Sequence, residues 1–264
     1  MNKELYFERK RTEMKNVALL TGTINTEIFN NTGNKICDIK ERLNQYENSI
    51  YRYIRDSEFS TIVFGENSGY PFEARKFECV ANTYGKSFEF VSCPSYVEET
   101  IRCGKSYGEA RVIDDILKRS ELLQTEDIIY KLTGRIFLEN SKDICKTANK
   151  RKNEFIIYDN KKWCFTNIFK FSKNNYLKYW DKVYEQCDEK NGNDIERVFY
   201  QIICEAVKEG LDVGSFNVWP CFDGIQGATL EPYTGGKMER CLRSFLCKVG
   251  CFTYGTKASK LLKI

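Results

Sequence analysis

Residues 126–140 of this 264-residue chain read EDIIYKLTGRIFLEN, so Lys131 and Arg135 interrupt two apolar runs that are typical of a buried strand. Two cations at the end of a strand suit a phosphate or diphosphate, because an arginine can bind phosphate oxygens through two parallel hydrogen bonds. The alternative is an ordinary strand end with surface charges. We favour an anion site and include Gly134, which lies between the two cations, among its residues.

A second candidate anion site is the run GKSYGE at residues 104–109, which opens a predicted helix. The first turn of a helix offers free N–H groups and the positive end of the helix dipole, and Lys105 adds a charge. The run is not a P-loop, because the earlier glycine of that motif is missing. An ordinary helix start explains the run equally well.

The chain has no histidine, and this absence decides which residues could act as a base. It excludes Ser-His-Asp and Cys-His nucleophile systems, and metal sites that depend on histidine. Acid–base chemistry is left to Asp, Glu, Lys, Tyr or Cys. Asp194 and Glu196 start an amphipathic helix predicted over residues 193–210, where spacing alone favours helix capping over catalysis.

The elements that must position these residues alternate between strands and helices. Apolar runs predict strands within residues 16–26, 60–69, 87–93, 127–138 and 154–160, and helical spacing predicts helices at 36–56, 71–84, 105–123 and 141–150. This order indicates an α/β fold, a single domain with a mostly parallel sheet and helices on both faces. Parallel strands end at one edge, so we expect Thr21–Thr23, Glu66–Ser68 and Lys131–Arg135 to converge there.

The charge distribution restricts the partners of the chain. The formal net charge is only +4, but from Lys237 onward there are seven Lys or Arg and one acidic residue. A nucleic-acid-binding protein usually has a stronger basic face, so we expect no nucleic acid partner. The basic C-terminal segment predicts either peripheral contact with an anionic membrane surface or a solvated helix.

Cysteine usage and the N-terminal sequence indicate the compartment. Twelve cysteines without a Cys-x-x-Cys pair are typical of buried thiols in a reducing cytoplasm. The N-terminus lacks the apolar segment of a secretory signal, and no run approaches the roughly 18 apolar residues of a membrane span. We therefore expect a cytoplasmic protein, or one peripheral at the inner face of the plasma membrane.

Several motifs, taken in order, resemble one family. They are Thr-Gly-Thr after the first strand, IVFGENSG, GKSYGEARVIDDIL, YKLTGRIFLEN, NDIERVFYQII and PCFDGIQGATLEPYTGG. Over about residues 16–240 the chain resembles bacterial glycosyltransferases of capsule and O-antigen gene clusters, which have a GT-A-like (Rossmann-like) fold. It is similar to the galactofuranosyltransferase type of O-antigen polymerase domain.

The resemblance implies a reaction and its partners. A sugar such as galactofuranose or another hexose would pass from a nucleotide-diphosphate donor, expected to be a UDP-sugar, to a glycan or lipid-linked glycan acceptor. The expected stereochemistry is inversion, because a carboxylate base is available. The resemblance also implies a nucleotide-sugar-binding half at 16–160, an acceptor-side half at 161–240, a basic C-terminal helix at 241–264 and an N-terminal extension at 1–15.

The resemblance also implies roles for individual residues. The donor-binding residues would be Thr21 and Thr23 near the nucleotide, Glu66 and Asn67 at the base or ribose, and Lys105, Gly108 and Glu109 near the donor. Lys131 and Arg135 would lie near the diphosphate and take part in catalysis, and Gly134 between them would belong to the nucleotide-sugar site. Glu196 is the expected catalytic base, with Asp194 beside it.

One departure from the family concerns the metal. A GT-A enzyme normally holds Mn²⁺ or Mg²⁺ with an Asp-x-Asp motif, and this chain has none. We therefore expect no certain cofactor and weak or absent metal dependence, with Lys131, Arg135 and Lys105 meeting the charge of the leaving diphosphate. If a metal is needed, Asp159 and Glu139 are the first candidate ligands.

Two other functions stay open. A sugar nucleotidyltransferase would need an acidic metal cluster and a Gly-rich phosphate loop near the first strand, and TGTINT at residues 21–26 supplies neither well. A non-catalytic glycan- or nucleotide-binding module would keep an aromatic surface, such as Trp163, Trp180 and Trp219, without needing a base.

Overall fold

A computed structural model describes residues 16–147, 151–227, 229–233 and 235–261. The strands are β1 (Val17–Gly22), β2 (Thr61–Glu66), β3 (Ser87–Ser92), β4 (Ile128–Thr133), β5 (Phe137–Leu138), β6 (Asn153–Tyr158), β7 (Trp163–Ser172), β8 (Val213–Gly214) and β9 (Phe222–Asp223). The helices are α1 (Ile39–Asp56), α2 (Ala74–Thr83), α3 (Val97–Cys103), α4 (Lys105–Arg119), α5 (Ser141–Thr147), α6 (Lys173–Tyr179), α7 (Ile195–Lys208), α8 (Lys237–Lys248) and α9 (Lys257–Leu261).

Seven strands form one sheet in the order β3-β2-β1-β4-β7-β6-β8. β1 to β4 run parallel, and β8 runs parallel to β6, whereas β7 is antiparallel to both of its neighbours. The sheet is therefore mostly parallel, which confirms the α/β fold predicted from the alternation of strands and helices.

Helices cover both faces of the sheet, and this explains why β1 and β2 are apolar almost throughout. All six residues of β1 and all six of β2 are buried. Leu19 packs in one core with Ile113 of α4 and Phe199 of α7, whereas the next residue, Leu20, packs in a second core with Ile50 of α1. Successive residues of a strand point to opposite faces, so each must be apolar when both faces are covered.

The segment 127–138, predicted as one strand, forms two. β4 ends at Thr133, and β5 pairs with β9 in a separate two-stranded sheet. In the turn between them the Gly134 amide donates to the Thr21 carbonyl oxygen at 2.8 Å. A Cβ at residue 134 would lie 2.7 Å from that oxygen, so only glycine lets the turn approach β1 this closely.

Two further elements differ from the sequence-based expectation. The helix α3 was not predicted, because its only buried residue is Thr100 and it therefore lacks an apolar stripe. The basic C-terminal helix expected over 241–264 is two helices, α8 and α9, and the chain between them turns at Gly250 with φ +79°. The predicted extension at 1–15 lies outside the described residues.

Candidate active site

A cavity of about 230 Å³ opens at the carboxyl edge of the sheet, beside the ends of β1 and β4. The strand order reverses here, since β2 lies on one side of β1 and β4 on the other. Open α/β sheets bind their ligands at such a reversal. The polar residues of the lining are Thr21, Thr23, Asn34, Arg42, Tyr46, Lys105, Glu109, Thr133, Arg135, Thr166, Asn167, Glu196, Gln226 and Tyr233.

Glu196 lies in the first turn of α7 and lines the cavity. Burial raises the pKa of its carboxyl to about 7, and the negative charge of Glu109 acts in the same direction. A carboxylate whose pKa lies near neutral pH can take up a proton under physiological conditions and release it again. Glu196 therefore has the properties of a general base.

Thr166 orients the Glu196 carboxylate. Its Oγ1 donates to Glu196 Oε1 at 3.0 Å. Thr166 belongs to β7, which runs antiparallel to β4 and reaches past the end of that strand. The floor of the cavity is therefore built by a strand of the sheet, and the carboxylate is fixed to it from the helix that packs above.

Lys131 lies beneath the cavity and does not line it. Its side chain is 0% exposed. The ammonium donates to a Glu109 carboxylate oxygen and, at 2.8 Å, to the Thr166 carbonyl oxygen. From the sequence, this lysine was expected to contact a diphosphate. Its charge is instead neutralised by Glu109, which α4 brings to the cavity, because a buried ammonium needs an anionic or carbonyl partner.

Arg135 lines the cavity at the turn after β4. Its hydrogen bonds go to neutral acceptors, Gln45 Oε1 at 2.7 Å and the Ile225 carbonyl oxygen at 3.0 Å. Burial lowers the pKa of the guanidinium, and the nearby charge of Arg42 acts in the same direction. No carboxylate among the described residues forms an ion pair with Arg135, so its charge is available to an anion in the cavity.

Arg42, which no motif in the sequence singled out, contributes a second guanidinium to the lining. The side chain is 4% exposed and donates to three carbonyl oxygens, those of Thr23, Ile24 and Ile36. It fixes the loop after β1, and in the described part of the chain its charge likewise has no acidic partner within ion-pair distance. A cation on the buried face of an amphipathic helix was the signal in the sequence that could have revealed it.

Glu66 and Asn67, expected at the base or ribose, support the loop after β1 from behind. The Glu66 carboxylate accepts hydrogen bonds from the Ile24 amide at 2.9 Å and from the amide and hydroxyl of Ser68. Asn67 Oδ1 accepts from Thr23 Oγ1 at 2.7 Å. Both side chains are buried, and neither lines the cavity.

The start of α4 was a predicted anion site, and an anion of the chain itself occupies it. Ser106 donates its amide N–H, at 3.0 Å, and its hydroxyl to Glu189 Oε1. Lys105 points elsewhere and lines the cavity, while Gly108 is buried against Thr100. The helix start therefore holds Glu189 and delivers Lys105 and Glu109 to the cavity.

A wider groove of about 690 Å³ adjoins the cavity and shares Asn34, Lys105 and Glu196 with it. Asp194 lies in this groove as the N-cap of α7, and its Oδ1 accepts from the Arg197 amide at 2.8 Å. Glu196 thus stands between the two spaces. Cavity and groove together reach the range of roughly 300–1,000 Å³ that is typical of small-molecule sites.

Among the described residues, no group of three or more His, Cys, Asp or Glu is arranged to hold a metal ion. Glu109 pairs with Lys131, and Asp194 caps α7 by accepting from the Arg197 amide. The two alternative ligands named from the sequence lie elsewhere: Asp159 accepts from Tyr200, and Glu139 pairs with Arg240 at 3.1 Å.

Of the residues singled out in the sequence, the cavity collects Thr21, Thr23, Lys105, Glu109, Arg135 and Glu196. The other predicted residues do not line the cavity: Glu66, Asn67, Gly108, Lys131, Gly134 and Asp194. The lining residues that no motif in the sequence had singled out include Arg42, Tyr46, Thr166, Asn167 and Gln226.

Comparisons with known proteins give similarities of fold. No protein-family model matches the chain, and no curated protein matches it. Among solved structures, the glycosyltransferase GlyE of Streptococcus pneumoniae TIGR4 is similar with a TM-score of 0.48 and 10% identity, over 76% of this chain and 45% of that one. The chain thus spans less than half the length of GlyE.

Two other solved structures belong to different classes of transferase. The nucleoside-diphosphate-sugar pyrophosphorylase of Vibrio cholerae RC9 has a TM-score of 0.44 and 13% identity, over 76% of this chain and 91% of that one. The galactosyltransferase LgtC has a TM-score of 0.42 and 13% identity, over 75% of this chain and 73% of that one. Because these TM-scores are below 0.5, they carry no functional conclusion for this chain.

Proposed function

We propose that the chain is a glycosyltransferase that moves a sugar from a nucleotide-diphosphate donor to a glycan acceptor. The observation that carries the proposal is one cavity with two unlike walls. One wall holds Glu196, a carboxylate with a pKa raised to about 7. The other holds Arg135 and Arg42, guanidiniums whose hydrogen bonds in the described chain go to neutral acceptors.

The cationic wall suits the diphosphate of the donor. As the bond between sugar and phosphate breaks, negative charge grows on the leaving nucleotide, and preorganised cations lower the energy of that state. Arg135 can bind phosphate oxygens through its planar fork, and Lys105 adds a flexible charge at the entrance shared with the groove. Lys131 acts indirectly, by holding Glu109 in place.

The carboxylate wall suits the acceptor. Direct displacement at the anomeric carbon requires the acceptor hydroxyl to lose its proton as it attacks. Glu196 lines both the cavity and the groove, so an acceptor in the groove would bring its hydroxyl to this carboxylate. A single base on the acceptor side corresponds to inversion of configuration.

The finer assignments follow the resemblance in sequence. They are a UDP-sugar as the donor, galactofuranose or another hexose as the sugar, and a cell-surface or lipid-linked glycan of the capsule or O-antigen kind as the acceptor. The cationic wall suits the diphosphate of a nucleotide. The identity of the nucleobase and of the sugar rests on the resemblance alone.

A nucleotide-release assay tests the proposal. The purified chain is incubated with a panel of nucleotide sugars, with and without oligosaccharide acceptors, and nucleoside diphosphate is measured. We expect release with at least one donor, and loss of release in Glu196→Gln. Pyrophosphate formed from a nucleoside triphosphate and a sugar 1-phosphate would instead identify a nucleotidyltransferase. Binding of a nucleotide sugar without turnover in any mixture would identify a binding module.

A further inference from the structure

An exposed apolar stripe runs along α8. Met238, Leu242, Phe245 and Val249 follow one another at intervals of four, three and four residues, and they are 88%, 58%, 60% and 47% exposed. This spacing places the four side chains on one side of a helix. Large apolar side chains gathered on a protein surface mark an interaction site.

The opposite side of α8 is fixed to the body of the protein. Ser244 Oγ accepts from the Trp219 amide at 3.0 Å, and the guanidinium of Arg243 stacks over the Trp219 ring at 4.6 Å. Cys247 is buried in the core. The stripe is therefore held outward by a docked helix.

Uncompensated lysines accompany the stripe. Lys237 and Lys248 lie at the two ends of α8, and Lys257 and Lys260 lie on α9; all four are exposed. None of them forms an ion pair with a residue in the part of the chain that the structure describes. The two arginines of α8 differ, since Arg240 pairs with Glu139 and Arg243 with Glu239.

We propose that α8 binds the surface of a bilayer that contains anionic lipid, with the helix lying in the plane of the interface. We define the α8 face as Met238, Leu242, Phe245 and Val249 together with Lys237 and Lys248. An apolar stripe flanked by lysines is the arrangement with which interfacial helices bury their apolar side chains below the headgroups. The lysines are attracted to anionic headgroups. They would repel each other if two α8 faces met, which disfavours a second copy of the chain as the occupant.

The segment that enters α8 also lines the cavity. Tyr233 lines the cavity four residues before α8 begins, and Arg240 Nε donates to the Gly235 carbonyl oxygen at 3.0 Å. Helix and wall are thus tied together. If the function proposed above holds, a bilayer bound by α8 would be linked through this segment to the site that receives a lipid-linked acceptor.

The test measures co-sedimentation of the full chain with vesicles. Phosphatidylcholine vesicles are compared with vesicles of phosphatidylcholine and phosphatidylglycerol, and we expect binding to the second kind. The double variant Leu242→Asp/Phe245→Asp should lower the partition coefficient at least about tenfold, because two apolar anchors are lost. The control Leu177→Asp changes a side chain of α6 that is 40% exposed, and it should bind like the wild type.

The lysines give a second, electrostatic readout. Lys237→Gln and Lys248→Gln should each lower binding to anionic vesicles by roughly fivefold, and added salt should weaken binding of the wild type. Because both lysines are exposed and without ion pairs among the described residues, these variants should unfold like the wild type. If Lys237→Gln and Lys248→Gln bind anionic vesicles as tightly as the wild type at low salt, the lysines do not attract the headgroups, and the proposal is wrong.

Three other results would overturn the membrane proposal. One is failure of the wild type to bind anionic vesicles, and another is full binding by the Leu242→Asp/Phe245→Asp variant. The third is a lipid-free dimer, seen in sedimentation velocity, that this variant disperses, because a second copy would then be the occupant. Vesicle binding requires no turnover, so its outcome is independent of the glycosyltransferase assay.

Discussion

Thr166 and Glu196 join the floor of the cavity to its carboxylate wall: Thr166 Oγ1 donates to Glu196 Oε1 at 3.0 Å. The carbonyl oxygen of the same threonine accepts from Lys131 Nζ at 2.8 Å. One residue of β7 therefore contacts both the candidate base and the lysine that neutralises Glu109. A hydrogen bond to a carboxylate favours its ionised form and lowers its pKa, so Thr166 opposes the effect of burial on Glu196.

Replacing Thr166 should move the pH profile of the enzyme. Thr166→Val removes the hydroxyl but keeps the shape, so the pKa of Glu196 should rise further, because a hydrogen bond that favours the ionised form is lost. The limb of kcat/KM that depends on this base should shift to higher pH. Thr166→Ser keeps the donor and should keep the profile; a shared shift in both variants would point to a change in packing.

Replacing Glu196 should remove the base while leaving donor binding intact. Glu196→Gln should lower kcat by roughly two to four orders of magnitude, the usual effect of a general base. In the wild type the ionised carboxylate accepts the proton, so kcat/KM should rise with pH around a midpoint near 7. The variant should lack this limb of the profile, and its Kd for the donor should match the wild type.

Asp194→Asn is the matched control for Glu196→Gln. Asp194 caps α7 two residues earlier, so this change should cost at most about 1 kcal/mol of unfolding free energy and leave kcat near the wild-type value. An inactive Asp194→Asn together with an active Glu196→Gln would reverse the two roles. Unchanged rates in both would place the base elsewhere or indicate retention of configuration.

Replacing Arg135 should weaken nucleotide binding. Arg135→Gln removes a charge-assisted contact, so the Kd for the matching nucleoside diphosphate should rise roughly 10- to 100-fold in calorimetry. Arg135→Lys keeps the charge but loses the planar guanidinium fork, so its Kd should lie between those of the wild type and Arg135→Gln. The control Arg52→Gln removes a guanidinium whose partner is the exposed Asp223, and it should bind like the wild type. Equal affinity in all four proteins would remove Arg135 from the donor site.

Replacing Lys131 should affect stability before it affects binding. Lys131→Met leaves Glu109 without its cation, and breaking such a pair should cost about 3 kcal/mol of unfolding free energy, at the low end because the Glu109 side chain stays 30% exposed. Denaturant unfolding measures the change. The double variant Lys131→Met/Glu109→Gln should recover part of the lost stability, since no unpaired charge remains. If Lys131→Met is as stable as the wild type, the ion pair does not stabilise the fold.

Chelation tests the expected weak metal dependence. Sugar transfer measured with and without EDTA should differ little, because guanidiniums rather than a metal ion would face the diphosphate. Activity that EDTA abolishes and manganese restores would contradict this expectation. In that case Glu109→Gln and Glu196→Gln should each lower the affinity for manganese. Isothermal titration calorimetry with Mn²⁺ would measure this affinity independently of turnover.

The sequence by itself determined the sheet and the edge at which the cavity lies. Strands buried on both faces are mostly apolar, so β1, β2 and β4 stand out as short apolar runs, with Lys131 as a charged exception within β4. Their parallel order brings their carboxyl ends together, and this is why the sequence predicts that Thr21, Thr23 and Arg135 lie at one edge.

Only the tertiary structure decided what each side chain of the site contacts. Lys131 and Arg135 lie four residues apart, yet one is enclosed beneath the cavity and the other lines it, because β4 ends between them at a turn that Gly134 allows. The partners Glu109, Thr166 and Glu196 come from α4, β7 and α7, which no local pattern connects. The pKa of Glu196 depends on that assembly, since burial and a charge from another helix raise it.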